Sequence, residues 1–188
     1  QHREDQHGVG DGDGYADAII GAPLADVPVE NATKTALLKD AGSVRILSGA
    51  DGSVLRVFNG SVARENFGTA LAVVDDRNGD GVPDLLLGFP LADPKVIVGA
   101  RQQQLKDAGN VSLYSGSDGS LISSVADGAT AGDHFGAALA VTDVNADGVQ
   151  DFIVGAPQAD TPVLHDAGGI IKIDGASGVE DAGWLQTG

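Results

Sequence analysis

The sequence predicts an all-β fold of repeated four-stranded antiparallel meanders, and three observations point that way. Of its 27 acidic residues, 23 are Asp, a poor helix former that favours turns. Its 28 Gly separate short apolar runs, the pattern of strands joined by tight turns. Most decisively, the chain repeats itself. Asp17-Ala18-Ile19-Ile20-Gly21-Ala22-Pro23-Leu24-Ala25-Asp26 returns as Asp84 to Asp93 and again as Asp151 to Asp160, each time 67 residues later. A second block, Asp40 to Gly49, recurs at Asp107 to Gly116 and, after a loop eight residues shorter, at Asp166 to Gly175. A third, Phe67 to Val73, recurs at Phe135 to Val141.

Each unit reads as four runs in order. The first, Phe67 to Val74, is dense in Ala, Gly and Val, as a strand packed closely between neighbouring sheets requires. The second, Leu85-Leu86-Leu87, is apolar without alternation and therefore buried on both faces. In the third, Asn110-Val111-Ser112-Leu113-Tyr114, apolar residues fall two apart, as on a strand with one face toward water. The cluster Ser115 to Gly119 turns the chain into a fourth run, Ser120 to Val125. Meanders repeated around an axis are β-propeller blades, each burying its faces against its neighbours because one blade has too little core. The expected division is a partial blade over 9–63, a blade over 64–130 and a blade with a shortened loop and divergent end over 131–188. Two complete blades and one partial blade cannot close a ring, so two blade faces should stand open unless a longer chain or another copy covers them. The absence of Met favours a piece of something longer.

The loop between the first and second runs is where chemistry concentrates. Asp76-Arg77-Asn78-Gly79-Asp80-Gly81-Val82-Pro83-Asp84 and Asp143-Val144-Asn145-Ala146-Asp147-Gly148-Val149-Gln150-Asp151 both place side-chain oxygens at positions 1, 3, 5 and 9. Calcium takes six to eight hard oxygen ligands, and a Gly at position 6 allows the sharp turn that lets alternate side chains and the position-7 carbonyl, here Val82 or Val149, point inward. An EF-hand is excluded, because position 12 is Leu87 or Val154 inside a strand instead of a bidentate Glu. Magnesium fits less well, since it resists dehydration. One such loop alone is equally an ordinary polar turn; two copies at the same place in a repeat favour a metal role. The first unit offers Asp11, Asp13 and Asp17 at positions 3, 5 and 9 with Tyr15 at position 7, but position 1 is Val9, so this set is expected to be incomplete.

These residues resemble a known family. Phe67-Gly68 and Phe135-Gly136, the Asp-rich loops, and Gly21-Ala22-Pro23 and Gly155-Ala156-Pro157 look like the FG-GAP repeat of the N-terminal propeller of integrin α subunits and of many exported proteins. The resemblance runs from about residue 9 to about residue 175. It implies seven blades in a closed ring with calcium held by the loop between strands one and two. By that match the ligands are Asp76, Asn78, Asp80 and Asp84, then Asp143, Asn145, Asp147 and Asp151, with Asp11, Asp13 and Asp17 as a partial third set. Gly88-Phe89-Pro90 departs from the pattern by placing Phe where Ala is usual, which counts against tight packing of that turn.

Composition narrows the function. With 11 basic against 27 acidic residues, net charge −16, the surface repels nucleic acid and anionic membrane. No apolar run approaches the roughly 20 residues of a membrane helix, so membrane insertion is not expected. Without Cys there is no disulfide framework or thiolate chemistry. His2, His7, His134 and His165 lack zinc spacing, and neither a Gly-x-Ser-x-Gly elbow nor a phosphate loop is present. The expectation is a non-catalytic, calcium-stabilised scaffold of an extracellular or cell-surface protein, with a protein or glycan ligand on the loops Val27 to Lys39 and Pro94 to Lys106. The rival is the accessory propeller of an exported hydrolase or lyase. Asn31, Asn59 and Asn110 begin glycosylation sequons, and Trp184, the single Trp, reads as core or blade-edge filler.

Overall fold

A computed structural model describes residues 9–31, 34–98, 101–160 and 163–181; His2, His7 and Trp184 lie outside them. The first unit contributes β1 (Ala18–Ala22), a hairpin of β2 (Val27–Asn31) and β3 (Lys34–Leu38), then β4 (Ser43–Leu47) and β5 (Val54–Asn59). The second runs β6 (Ala70–Val74), β7 (Asp84–Phe89), a hairpin of β8 (Lys95–Val98) and β9 (Arg101–Gln104), β10 (Asn110–Tyr114) and β11 (Leu121–Asp127). The third is β12 (Ala138–Thr142), β13 (Asp151–Ala156), β14 (Gly169–Ile173) and β15 (Glu180–Asp181). Three antiparallel sheets result, ordered β1-β4-β5, β6-β7-β10-β11 and β12-β13-β14-β15. They are β-propeller blades, and together they form an open, incomplete ring. Among the described residues there is no helix.

Glycine is what lets one blade approach the next. A Cβ on Gly21 would lie 2.1 Å from the carbonyl oxygen of Gly68, and one on Gly88 would lie 2.0 Å from that of Gly136. In the first two blades the glycine of the Gly-x-Pro turn therefore receives the Phe-Gly turn of the following blade, backbone against backbone. Gly68 and Gly136 themselves have φ of 81° and 89°, the left-handed region that Gly enters without steric cost. Phe67 N–H donates to the Ala41 carbonyl at 3.0 Å and Phe135 N–H to the Ala108 carbonyl at 2.9 Å, so the same bond stitches both junctions.

The core lies between the sheets. Val44, Ile46 and Phe58 of the first blade meet Phe67, Leu85, Leu87 and Phe89 of the second. On the other face Val74, Leu86, Val111 and Leu113 meet Phe135, Phe152, Val154 and Ile173 of the third. Alternate leucines of β7 thus serve two interfaces, and all three are fully buried, as their unbroken apolar run requires.

Four expectations change. β10 does not turn one face to water, because Val111, Ser112 and Leu113 are all buried; the middle blade is covered on both sides. The first strand begins at Ala70, and Phe67-Gly68 precedes it as a turn bridged to Gly42. The segments Val27 to Lys39 and Pro94 to Lys106, read as loops, are two-stranded hairpins. Phe89 does not loosen its turn: it is buried and meets Phe67 edge-on at 5.1 Å between ring centroids. The outer faces of the ring's two ends are open, with Ile20 and Val57 exposed on one and Ile170 on the other.

Gly88→Ala is expected to lower stability by roughly 1–3 kcal/mol, the usual cost of overpacking, measured by urea denaturation. Its added methyl meets a backbone carbonyl that cannot rotate away.

Candidate functional site

The three Asp-rich loops fold alike, and their geometry follows from short side chains bonding the backbone two residues on. The position-5 amide donates to the position-3 side chain: Asp13 to Asp11 at 3.1 Å, Asp80 to Asn78 at 2.9 Å, Asp147 to Asn145 at 3.0 Å. The position-7 amide donates to the position-5 carboxylate at 2.8 Å in all three, from Tyr15, Val82 and Val149. Positions 4 and 6 have positive φ throughout: Gly12 and Gly14, Gly79 and Gly81, Ala146 and Gly148.

The loops differ at position 1. The Asp76 carboxylate accepts from Gly79, Asp80 and Gly81 amides at 2.7, 3.2 and 2.8 Å, and these bonds, Gly81's foremost, hold its pKa below the usual carboxylate range. Asp143 accepts likewise from Asp147 and Gly148. Val9 instead is buried in the core. Yet the first loop, expected to be the incomplete one, brings ligand oxygens of Asp11, Asp13 and Asp17 all within 4.8 Å of one another, the one such acidic cluster among the described residues.

Position 9 anchors each loop. Asp84 and Asp151 are fully buried. One carboxylate oxygen accepts from the position-2 amide, Arg77 at 2.7 Å or Val144 at 3.0 Å. The other accepts from a glycine in the turn after strand three: Gly116 at 3.2 Å and Gly175 at 2.9 Å, with Gly49 bonding Asp17 at 2.9 Å. Those glycines were not singled out from sequence, although Ser48-Gly49, Ser115-Gly116 and Asp174-Gly175 recur in register and carry the signal. Also missed were Ser115, which donates to Asp80 at 3.2 Å, and Asp174, which accepts from Asn145 at 2.9 Å.

Electrostatics then separates two loops of like shape. Burial raises the pKa of Asp84 and outweighs its two amide bonds, with Asp80 and Asp76 adding to the rise; among the described residues no Lys, Arg or His pairs with it. Burial acts on Asp151 too, but the Gly175 and Val144 amides and Lys172 outweigh it, so its pKa falls below the ordinary value. Lys172 Nζ stands 3.6 Å from Asp151 and is itself buried; the equivalent residue in the second blade is Leu113.

At the opposite end of the sheets the geometry is less specific. Glu65 and Asp133 precede the two Phe-Gly turns by two residues, and burial raises both pKa values, with Asp93 and Asp160 respectively contributing. His134 sits beside Asp133 with φ of 55°, and exposed His165 bonds Asp160 at 3.1 Å. The Asn110 amide donates to Ser124, Ala126 and Asp127, so that sequon is engaged within the blade, whereas Asn59 is exposed. Two residues of the Asn31 sequon, Ala32 and Thr33, lie outside the described residues.

Comparison with known proteins agrees with the repeat and the blades. The family profile described as FG-GAP repeat matches residues 67–114 and 135–171. The chain carries FG-GAP repeats over these two segments. It is 34% identical over 154 residues to phosphatidylinositol-glycan-specific phospholipase D of Bos taurus, covering 78% of this chain and 17% of that protein. It is 32% identical over 121 residues to integrin alpha-8 of Gallus gallus, 63% of this chain and 11% of the other. With integrin alpha-V of Gallus gallus the identity is 31% over 175 residues, 88% and 16% respectively. The chain thus spans less than a fifth of the relatives it matches, and what it shares with them is a propeller scaffold.

Asp151→Asn should destabilise the FG-GAP chain by about 3–5 kcal/mol at neutral pH, because it leaves a buried Lys172 without its counter-charge; Lys172→Met in the same chain should recover part of the loss in urea denaturation. Because the Asp151 pKa is lowered by folding, its contribution is present above the ordinary Asp value and is lost as pH falls through the folded one. Glu65 has the opposite sign. Its pKa is raised, so it favours folding below the ordinary Glu value and loses that contribution as pH rises through the folded value. Glu65→Gln should therefore raise the denaturation midpoint at pH 7 and lose that advantage near pH 4.

Proposed function

We propose that this chain is a non-catalytic, calcium-binding segment of an extracellular or cell-surface β-propeller that serves as an adhesion or ligand-recognition scaffold. The observation that carries the calcium part is the fully buried Asp84, closed into a nine-residue loop of hard oxygen donors and paired with no cationic side chain among the described residues. The residues fit the ion. Side chains of Asp76, Asn78, Asp80 and Asp84 with the Val82 carbonyl form one donor set; Asp143, Asn145, Asp147 and Asp151 with the Val149 carbonyl form the second. Asp11, Asp13 and Asp17 with the Tyr15 carbonyl form the third, whose clustered carboxylates favour it despite Val9. Oxygen-only donors on a short, flexible loop suit Ca2+ better than softer or smaller metals. Bound calcium would neutralise the repulsion within each loop and lock strands one and two of the blade.

Blades 9–63, 64–130 and 131–188 are the units of this reading. Their neighbours are further blades, from a longer parent chain or another copy, and Gly155 and Gly168 support that. They are the third-blade equivalents of Gly88 and Gly109, which receive the Phe135-Gly136 turn at 2.0 and 2.1 Å, yet the nearest atoms to their added Cβ are 3.2 and 3.3 Å away within their own blade. The protein or glycan ligand would meet the β2–β3 and β8–β9 hairpins, which project from a rigid frame. Net charge −16 opposes nucleic acid as a partner. The integrin relatives support the adhesion reading, and the phospholipase D relative supports the second one, an accessory propeller of an exported hydrolase or lyase; a catalytic domain encoded beside these blades in the full-length transcript decides for the latter.

Thermal unfolding in millimolar calcium and then in chelator tests the metal. At calcium about a hundredfold above Kd each occupied site should add about 2.7 kcal/mol, and Asp80→Ala with Asp147→Ala should remove the share of the second and third loops. Coincident curves with and without chelator would sink the calcium assignment.

A further inference from the structure

Asp84 and Asp151 do more than close their own loops, because the glycine that bonds each of these two also faces the preceding blade. Gly116 donates its N–H to Asp84, and its carbonyl accepts from Arg56 Nε of the first blade at 3.1 Å. Gly175 donates its N–H to Asp151, and its carbonyl accepts from Arg77 of the second blade at 3.0 Å. Arg77 reaches further into the third blade: its other terminal nitrogen donates to the Gln150 carbonyl at 2.6 Å, and its guanidinium lies 5.3 Å from the Phe152 ring centroid. Asp75, beside the loop, adds a bond from its amide to the Gln150 side chain at 2.9 Å.

Arg77 occupies position 2 of the second Asp-rich loop, between Asp76 and Asn78, and its own amide is bonded to Asp84. A continuous path follows: Asp84 to the Arg77 backbone, the Arg77 guanidinium to the Gly175 carbonyl, the Gly175 amide to Asp151. Gln150 is position 8 of the third loop, so the guanidinium grips that loop directly as well. The connection is particular to this junction. Position 2 is Gly10 in the first loop and Val144 in the third, and Arg56, which serves the first junction, comes from β5 and from no metal loop.

We propose that Arg77 couples metal binding in the second and third loops, so that calcium in one raises the affinity of the other. The inference rests on the calcium reading above. A cation drawing Asp76, Asn78, Asp80 and Asp84 together fixes the backbone on both sides of Arg77 and orders its guanidinium on Gln150 and Gly175. The third loop then binds with less of its ordering left to do, which is positive coupling without a large change of shape. Linkage makes the effect reciprocal. The first loop, with glycine at position 2, is outside it.

Calcium titration of the full chain followed by NMR reads each loop separately, through the Gly81 amide for the second and the Gly148 amide for the third. In the parent chain, Asp80→Ala is expected to weaken binding at Gly148 about fivefold, the lower end of ordinary coupling energies. In the Arg77→Met background, the same Asp80→Ala change should leave Gly148 binding unaltered, because the link is already cut; this double-mutant comparison removes any uniform effect of Arg77 on stability. Arg77→Lys, which keeps the charge but not the forked donors, serves if Arg77→Met does not fold and should show the same loss. Protection of the Gly175 amide from hydrogen exchange should rise on calcium binding with Asp147→Ala in place, and only while Arg77 is present. Coupling that persists without Arg77, or Gly148 binding indifferent to Asp80 in the parent chain, overturns the proposal while leaving calcium binding intact. No response of either glycine to calcium overturns the calcium reading instead.

Discussion

The fold depends on a contact between two backbones. Where the Gly-x-Pro turn of one blade meets the Phe-Gly turn of the next, the glycine and the opposing carbonyl stand so close that no Cβ fits between them. That approach brings the Phe67 and Phe135 amides to carbonyls across the junction and sets the spacing at which the leucines of β7 fill the gap on either side. Backbone polar groups in such a junction would be costly if unpaired, and pairing across the blades removes that cost. The phenylalanine then covers the junction with an apolar ring.

A second constraint is the burial of an aspartate at the end of the second and third Asp-rich loops. An ionised carboxylate in that position needs amide donors, and the chain brings them from two directions, its own loop and the turn after strand three. The same carbonyl-bearing turn is held from behind by an arginine of the blade before. Loop, turn and junction are therefore joined by one run of hydrogen bonds. The second and third blades resolve their buried charge differently: Lys172 stands beside Asp151 where Leu113 stands in the second blade. Near-identical loops thus differ in the charge that surrounds their buried aspartate.

Much of this was legible in the residues. The repeat of Asp17 to Asp26 at a constant offset reveals the unit, and Leu85-Leu86-Leu87 reveals a strand covered on both faces. What misled was the alternation of β10, where Ser112 reads as a water-facing residue; a serine is tolerated inside because it donates to the neighbouring Asn110 side chain at 2.7 Å. The hairpins β2–β3 and β8–β9 look like loops in the sequence, because their strands are short and mix Pro, Lys and Gln with apolar residues. The first loop has buried Val9 where the others place a carboxylate, yet its three remaining carboxylates lie within 4.8 Å of one another.

By itself the sequence determined the period, the strands that carry it, the oxygen pattern of the loops and the acidic surface, because these are local properties of residue type and spacing. Only the tertiary structure decided which groups meet across a junction. Arg77 was just a loop residue until its guanidinium lay on the carbonyls of Gln150 and Gly175, 73 and 98 residues away. Asp84 and Asp151 were equivalent ligand candidates until Lys172 distinguished them. Such contacts depend on how blades stack, and no spacing along the chain encodes a distance between residues that only packing brings together.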